Sequence, residues 1–207
     1  MKLILNNLGK RYHHSWIFRH LNTTIGQGER WVILGSNGSG KSTLLKAIAA
    51  WTNPSEGRVE YYHDGLYAEP DGIWSMVSLA APYLELIEEF TWQEMIRFHY
   101  SLRALVPGLK PDDVASLSGL ETSVGKPLRQ FSSGMKQRAR LSLALFSQSP
   151  LLLLDEPCSN LDSQGIEWYK NMINQYAGNR TILVCSNDQP EEFFFCDHRL
   201  KISEFRG

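Results

Sequence analysis

A glycine-rich segment between an apolar strand and a helix constrains the fold of this chain more than any other feature. Residues 30–34 before it read RWVIL, and the continuous apolar run WVIL is typical of a central strand in a parallel sheet. Residues 42–51 after it carry Leu44, Leu45 and Ile48 at helical spacing. A strand, a tight loop and a helix in this order predict an α/β fold with a mainly parallel sheet. The loop and the helix start consist of Gly35, Ser36, Asn37, Gly38, Ser39, Gly40, Lys41, Ser42 and Thr43.

The loop has the spacing G-x4-G-K-S of a phosphate-binding loop, or P-loop. Its glycines allow tight turns, so that successive backbone N–H groups point at phosphate oxygens. Lys41 would neutralise the β- and γ-phosphates, and the Ser42 hydroxyl would bind Mg²⁺. Thr43 and the start of the helix add further N–H groups and the positive end of the helix dipole. We therefore expect a nucleoside triphosphate and Mg²⁺ as ligands.

Two carboxylates follow a run of four leucines at residues 151–154. Such a run predicts a buried strand, and ligands of open α/β sheets bind at the carboxyl ends of the strands. Asp155 is therefore a candidate to hold Mg²⁺ through its water shell. Glu156 is a candidate to orient or deprotonate the attacking water. The structural alternative is a strand that simply ends in two polar residues.

Predicted helices and strands alternate along the rest of the chain, which supports a mainly parallel sheet. The β pattern stops near Pro82, and a capping box formed by Thr91 and Glu94 then begins a helix. We interpret residues 82–135 as a helical subdomain inserted within a single domain that spans residues 1–207. Further strands are predicted at 2–5, 58–62, 73–79, 151–154, 181–185 and 199–202, and helices at 91–105, from 111, from 132 or 133 to 145, at 163–176 and at 190–195.

The composition excludes several classes of protein. The chain has 207 residues, 43% of them hydrophobic, and a formal net charge of −1 without a long Lys/Arg run, so a nucleic-acid partner gets no electrostatic support. The three cysteines lack C-x-x-C spacing, which favours a reduced cytosolic compartment over a disulfide framework or a zinc site. The N-terminal apolar stretch is too short for a signal peptide, and no run approaches the ~20 apolar residues that cross a bilayer. We expect no direct membrane insertion.

The segment 131–138, FSSGMKQR, further narrows the class of nucleotide-binding protein to which the chain can belong. It precedes Asp155 by 23 residues, counted from Ser132, and it occurs together with GSNGSGKST at 35–43, LLLLDEP at 151–157 and SNLD at 159–162. These motifs resemble, in order and spacing, those of the ATP-binding cassette (ABC) ATPases. FSSGM is similar to the LSGGQ signature of that family, with three substitutions. The resemblance extends from Leu3 to about Ile202.

The resemblance implies a P-loop NTPase fold with N-terminal antiparallel β elements, and ATP as the nucleotide. It also implies a head-to-tail dimer, either a homodimer or a heterodimer with a related cassette, in which the signature of one subunit faces the P-loop of the other. Ser132 and Gly134 would then reach the γ-phosphate held by the partner, at a helix N-terminus. Asp162 matches the D-loop aspartate that communicates across the interface.

An aromatic residue near the N-terminus is the expected adenine platform, because a flat apolar ring suits a flat base. Tyr12 matches the residue that stacks on adenine in ABC ATPases. Trp16 and Phe18 are alternatives, and any of the three could instead belong to the core.

Two positions depart from the pattern of the family. The glutamine expected after the strand at 73–79 is absent, because the chain reads AAPYL at 80–84. Asn187 stands in place of the histidine expected after the strand at 181–185. An amide can hydrogen-bond a γ-phosphate but carries neither a proton for transfer nor a positive charge. With Lys41, Glu156 and Asn187 as catalytic residues, we expect ATP hydrolysis that is intact but slow.

The expected function is the ATP-hydrolysing subunit of a membrane transporter, an exporter, acting through a separate transmembrane subunit. Such a subunit is cytoplasmic and peripheral to the inner face of the cell membrane. The alternative is a soluble ABC ATPase that acts as an ATP-gated switch or assembly scaffold, which would not co-purify with a membrane protein. Chromosome and repair ATPases are excluded, because the 114 residues from Lys41 to Asp155 leave no room for a long coiled-coil insertion.

Overall fold

A computed structural model describes residues 1–206, which form two compact units. The first unit contains Met1–Leu79, Ser149–Glu156 and the chain from Asn179 onward. The second contains Ala80–Gln148 and Pro157–Gly178. The segment 82–135, interpreted above as a helical subdomain, lies within the second unit.

The first unit contains an antiparallel sheet with the strand order β2-β1-β4-β5. The first two strands form a long hairpin, of which the sequence pattern predicts only residues 2–5. The pairing of these strands shifts register between Leu5 and Leu8 and again between Leu8 and Lys10, and such bulges break the alternation of buried and exposed residues. The strands are β1 (Lys2–Tyr12), β2 (Ser15–Ile25), β4 (Glu56–His63) and β5 (Leu66–Ala68).

A five-stranded sheet with the order β6-β7-β8-β3-β9 forms the second layer of this unit, and β6 ends at the unit boundary. The strands β7, β8, β3 and β9 pair in parallel. Every residue of β7 and β8 is buried, which explains their continuous apolar sequences. The structure thus has the α/β fold predicted from sequence. The strands are β3 (Arg30–Leu34), β6 (Val77–Ala80), β7 (Leu151–Asp155), β8 (Thr181–Ser186) and β9 (His198–Lys201).

One hydrophobic core joins the two sheets to helix α1 (Lys41–Ile48). Leu3 and Phe18 of the antiparallel sheet, Leu153 of the parallel sheet and Leu44 of α1 are all fully buried in it. Burial of each such side chain stabilises the fold by about 2 kcal/mol. The strand predicted at 73–79 is wrong in its first half, because Pro70–Ser75 forms a 3₁₀ helix before β6. A short helix, α6 (Pro190–Phe193), follows β8.

The second unit consists mainly of helices. The capping box of α2 is present, since the Thr91 hydroxyl accepts from the Glu94 N–H at 3.2 Å and Glu94 Oε2 accepts from the Thr91 N–H at 2.8 Å. The last helix is followed by Gly178, which adopts the left-handed conformation (φ +58°) common after helix ends. The helices are α2 (Trp92–Leu102), α3 (Pro111–Leu117), α4 (Ser133–Leu145) and α5 (Ser163–Tyr176).

The last turn of α2 places His99, half-buried, beside Ser147 of the second unit. Its Nε2 lies 2.9 Å from Ser147 Oγ, and that hydroxyl donates its own proton to the Leu143 carbonyl at 2.6 Å. Nε2 therefore donates to Ser147. Burial and, to a smaller extent, Arg103 lower the pKa of His99 to about 4, although a hydrogen bond to the Leu143 backbone partly offsets both effects. The ring is consequently neutral in the folded protein near pH 7.

We predict that mild acid destabilises the protein through His99. Its pKa is about 4 when folded and 6.5 in an unperturbed state, so the unfolded chain takes up the proton first as the pH falls. The stabilisation is fully present above pH 6.5 and is lost progressively from there to about pH 4. Between pH 7 and pH 5 the loss amounts to about 2 kcal/mol of unfolding free energy. Urea unfolding of wild type and His99→Gln at both pH values measures it.

The His99→Gln variant should lose about 2 kcal/mol less than wild type between the two pH values. His14 lies exposed in the turn between β1 and β2, so His14→Gln serves as the matched control and should behave as wild type does. An equal loss in wild type and His99→Gln would show the prediction to be wrong.

Candidate functional site

The P-loop connects β3 to α1 and folds tightly around the Lys41 side chain. Gly38 and Gly40 have φ angles of +74° and +103°, which favour glycine. The Lys41 ammonium is almost fully buried and donates to the carbonyls of Gly35 at 2.8 Å and of Ser36 at 3.2 Å. These bonds fix a positive charge at the centre of the loop.

A cavity of about 210 Å³ lies beside this loop in the first unit. It brings together most of the predicted P-loop residues and the predicted catalytic acid. It also includes Ile17 of β2, which the sequence analysis missed. Gly35 and Ser36 do not line the cavity, but their backbone carbonyls accept the hydrogen bonds of the Lys41 ammonium. The lining consists of Ile17, Asn37, Gly38, Ser39, Gly40, Lys41, Ser42, Thr43 and Glu156.

Glu156 enters this cavity from the carboxyl end of β7. Its backbone has a φ of +45°, a left-handed conformation that costs a non-glycine residue about 1 kcal/mol or more. The N–H of Glu156 donates to the Cys185 carbonyl at 2.9 Å, which holds this conformation. The Glu156 Oε1 atom lies 3.7 Å from Lys41 Nζ. The strained turn therefore places a carboxylate beside the P-loop ammonium.

Asp155 is a buried carboxylate, only 2% exposed, at the end of the same strand. Within residues 1–206 neither of its oxygens makes a hydrogen bond of normal geometry. Burial raises the pKa of Asp155, the Ser42 hydroxyl lowers it, Glu156 raises it and Lys41 lowers it. An unpaired buried carboxylate is costly, whereas oxygen ligands are those that Mg²⁺ prefers. Asp155 and Ser42 thus fit a Mg²⁺ site.

The three aromatic candidates for the adenine platform have different environments. Phe18 is fully buried in the core and has no free face. The Trp16 ring is covered by the guanidinium of Arg19 at 4.4 Å from its centroid, with that of Arg11 at 5.5 Å. Tyr12 is 49% exposed at the end of β1, but it does not belong to the residues that line the P-loop cavity. Its stacking on adenine stays a prediction.

Asn187 leaves the parallel sheet at the same edge as the P-loop. In the register of the sheet, Ser186 at the end of β8 pairs with Leu34 at the end of β3, directly before the loop. Asn187 follows Ser186 and is exposed, and the Ser186 hydroxyl accepts from the Gln189 N–H at 3.1 Å. Asn187 does not line the P-loop cavity, so its contact with phosphate stays a prediction.

The signature segment surrounds a second cavity, of about 380 Å³, within the second unit. We call it the signature cavity. Ser132 caps α4, since its hydroxyl accepts from the Met135 N–H at 3.2 Å, and Asp162 caps α5 by accepting from the Gly165 N–H at 2.7 Å. A Cβ atom on Gly134 would lie 2.9 Å from the Asn160 carbonyl, so this close approach requires glycine. The cavity brings together the three predicted residues Ser132, Gly134 and Asp162 with Arg138 and Asn160.

Comparison with known families identifies the family of this chain. The family model described as "ABC transporter" matches residues 18–159, which is well over half of the chain. The chain belongs to the ABC transporter family. This membership confirms the predicted family and implies ATP binding and hydrolysis.

Individual ABC transporter relatives agree with this result. The cytochrome c biogenesis ATP-binding export protein CcmA of Agrobacterium fabrum is 30% identical over 197 residues, which cover 92% of this chain and 90% of the relative. The bacitracin transport ATP-binding protein BcrA of Bacillus licheniformis is 28% identical over 86% of this chain and 58% of the relative. The dimeric structure of MJ0796, a bacterial ABC transporter cassette, has a TM-score of 0.78 and 26% identity over 97% of this chain and 94% of its own.

The relatives also confirm the expected function at the level of the family, an ATP-binding subunit of membrane transport. None of the helices within residues 1–206 combines the length and the apolar character that a membrane span requires.

We predict that Gly38→Ala and Gly40→Ala differ in their effect on nucleotide binding. Both positions have positive φ, so each alanine costs about 1 kcal/mol of strain. A Cβ on Gly40 would also lie 2.3 Å from Ile17 Cγ2, whereas a Cβ on Gly38 meets nothing within 4 Å. Gly40→Ala should therefore weaken ATP binding at least about tenfold more than Gly38→Ala, as measured by titration with ATP.

Gly72→Ala provides the control, because Gly72 has an ordinary φ and open space around its Cα. This variant should bind ATP as wild type does. Adding Ile17→Ala to Gly40→Ala should recover the part of the loss caused by the clash and leave the part caused by strain. Equal ATP affinities for Gly38→Ala and Gly40→Ala would contradict the predicted clash between the Cβ of residue 40 and Ile17.

Proposed function

We propose that this chain is the ATP-binding and ATP-hydrolysing subunit that powers an exporter through a separate transmembrane partner. The observation that carries the proposal is the placement of Glu156 Oε1 3.7 Å from Lys41 Nζ, beside the unpaired carboxylate of Asp155. Export is supported by the relatives, since CcmA is named as an ATP-binding export protein.

Each residue of the P-loop cavity has a role in this proposal. Backbone N–H groups of the loop and the Lys41 ammonium bind the β- and γ-phosphates. Ser42 and Asp155 hold Mg²⁺, which neutralises phosphate charge when bound. Glu156 orients the attacking water and accepts its proton. Asn187 donates an amide hydrogen bond to the γ-phosphate, and Tyr12 stacks on the adenine.

We further propose a head-to-tail dimer, a homodimer or a heterodimer with a related cassette. Ser132 and Gly134 at the start of α4 then bind the γ-phosphate held by the other subunit, and Asp162 communicates between the two sites. The support is that the signature cavity contains a helix N-terminus suited to an anion but no P-loop of its own. A related cassette that is 26% identical has been solved as a dimer.

Glu156→Gln tests the catalytic proposal. The amide keeps the shape of the side chain but cannot accept a proton. We expect Glu156→Gln to hydrolyse ATP at least about 100-fold more slowly than wild type while it still binds ATP. Phosphate release and ATP titration measure the two quantities. Wild-type turnover no faster than that of Glu156→Gln would remove the ATPase proposal and leave an ATP-gated switch.

The same assay also tests how the residue at position 187 affects the rate of ATP hydrolysis. Wild-type turnover should be slow because Asn187 supplies a neutral amide where a histidine could carry positive charge. Asn187→His should therefore be faster than wild type, and Asn187→Ala slower. Identical rates for all three side chains would exclude a phosphate contact by Asn187.

The membrane partner gives a separate prediction. The chain is proposed to be cytoplasmic and to reach the inner face of the cell membrane only through its transmembrane subunit. Affinity purification of the tagged chain from detergent-solubilised membranes should recover a polytopic membrane protein in a fixed ratio. Recovery of the chain from the soluble fraction alone, without a membrane protein, would favour the switch or scaffold instead.

A further inference from the structure

The signature cavity contains a cation to which the proposed function assigns no role. Arg138 lines this cavity together with Ser132, Gly134, Asn160 and Asp162. It follows Gly134 by four residues on α4, so the two lie on the same face of the helix. Side chains of a helix lean toward its N-terminus, and Arg138 therefore extends toward the capped end of α4.

The guanidinium of Arg138 is held in position by an aromatic ring. It lies 5.3 Å from the centroid of the Trp168 ring, a cation–π contact. Trp168 is itself fixed, because its Nε1 donates to the Leu117 carbonyl at 2.7 Å. A Cβ on Gly119 would lie 2.8 Å from Arg138 Nη1, so the backbone at residue 119 passes close to the guanidinium.

The charge of Arg138 has no counter-ion in the part of the chain that the structure describes. No carboxylate among residues 1–206 forms an ion pair with it. Asp162, the one carboxylate that lines the cavity, uses Oδ1 to cap α5. Met135, the last residue of the FSSGM signature, has a thioether side chain that cannot donate a hydrogen bond. The cavity therefore contains a guanidinium that pairs with no carboxylate of residues 1–206, a planar donor fork of the kind that binds phosphate.

We propose that Arg138 donates hydrogen bonds to the γ-phosphate of ATP that is bound in the P-loop of a second copy of this chain. The inference rests on the head-to-tail dimer proposed above and adds a phosphate-binding side chain to it. Ser132 and Gly134 provide the neutral helix N-terminus, and Arg138 provides the full positive charge. ATP-driven pairing of two copies and ATP turnover should then both depend on Arg138.

The competing role is purely structural, with Arg138 bracing α4 against Trp168 of α5 in its own copy. The mixture of two differently defective subunits shows whether the arginine acts on the nucleotide of its own copy or of the other copy. A brace that positions Ser132 and Gly134 would also act on the other copy, so Arg138→Lys separates bracing from phosphate binding. Lysine keeps a cation over the Trp168 ring but loses the planar fork that binds phosphate.

The experiment mixes Lys41→Ala subunits with Arg138→Gln subunits and measures ATP turnover. Each variant alone should be at least about tenfold slower than wild type. In a mixed dimer, one site carries both defects and the other site carries neither, because the intact P-loop of one copy meets the intact signature cavity of its partner. Turnover of the mixture should therefore be several-fold higher than that of either variant alone.

A mixture of Lys41→Ala with Gly134→Asp is the matched control, since Gly134 belongs to the same cavity by the proposed function. Rescue of this control without rescue of the Arg138→Gln mixture overturns the role of Arg138. Failure of both mixtures overturns the head-to-tail homodimer, and the inference with it. Full activity of Arg138→Gln alone also overturns the inference.

Two further measurements exclude a folding defect as the cause of the reduced ATP turnover of Arg138→Gln. ATP titration of monomeric Arg138→Gln should give wild-type affinity, because the P-loop lies in the other unit, and its thermal unfolding should remain cooperative. Arg138→Lys keeps the charge but loses the planar fork, so its turnover should lie between those of wild type and Arg138→Gln. A loss of ATP affinity in Arg138→Gln monomers equal to the loss of turnover would contradict the proposal.

Discussion

The parallel register of three buried strands is the constraint on which the nucleotide site depends. Pairing of β3 with β8 sets Leu34 beside Ser186, and pairing of β8 with β7 sets Cys185 beside Asp155. The P-loop, the acid pair and Asn187 therefore leave the sheet at one edge. A shift of one residue in either pairing would turn the side chains of a strand to the opposite face. The apolar residues that bury β7 and β8 on both faces thus also fix the position of the site.

The site is costly for the fold, and the surrounding structure offsets that cost. Glu156 adopts a left-handed backbone conformation, and Asp155 buries a carboxylate without a normal hydrogen bond among the described residues. Such features persist where the surrounding contacts determine the conformation, and they concentrate at functional sites. Leu3, Leu44 and Leu153 belong to the core that joins the two sheets to α1, the helix that follows the P-loop. Burial of this core stabilises the fold and offsets the free energy that the strained Glu156 backbone and the buried Asp155 carboxylate cost.

The sequence predicted those parts of the structure that depend on residues close together in the chain. The apolar run of β7, the capping box of Thr91 and the glycine spacing of the P-loop each have a local physical cause, and each is present. The bulged hairpin of β1 and β2 was largely missed, because bulges destroy the two-residue period on which strand prediction relies. Ile17 and Arg138 could not be assigned to cavities, since their positions depend on contacts between segments far apart in sequence.

The two cavities are chemically complementary in a way that neither one achieves by itself. The P-loop cavity contains the buried Lys41 ammonium and the Glu156 carboxylate, with Asp155 at the end of the same strand, and the neutral Asn187 stands where a histidine is expected after β8. The signature cavity contains a helix start and the guanidinium of Arg138, but no P-loop and no acid other than the capping Asp162. The γ-phosphate of ATP carries charge that a neutral amide cannot balance. If the side of the phosphate opposite the P-loop is covered by a second copy, Arg138 supplies charge that Asn187 lacks. The substitution at the histidine position is then compatible with hydrolysis, because the compensating charge arrives with the partner subunit and only when ATP is bound.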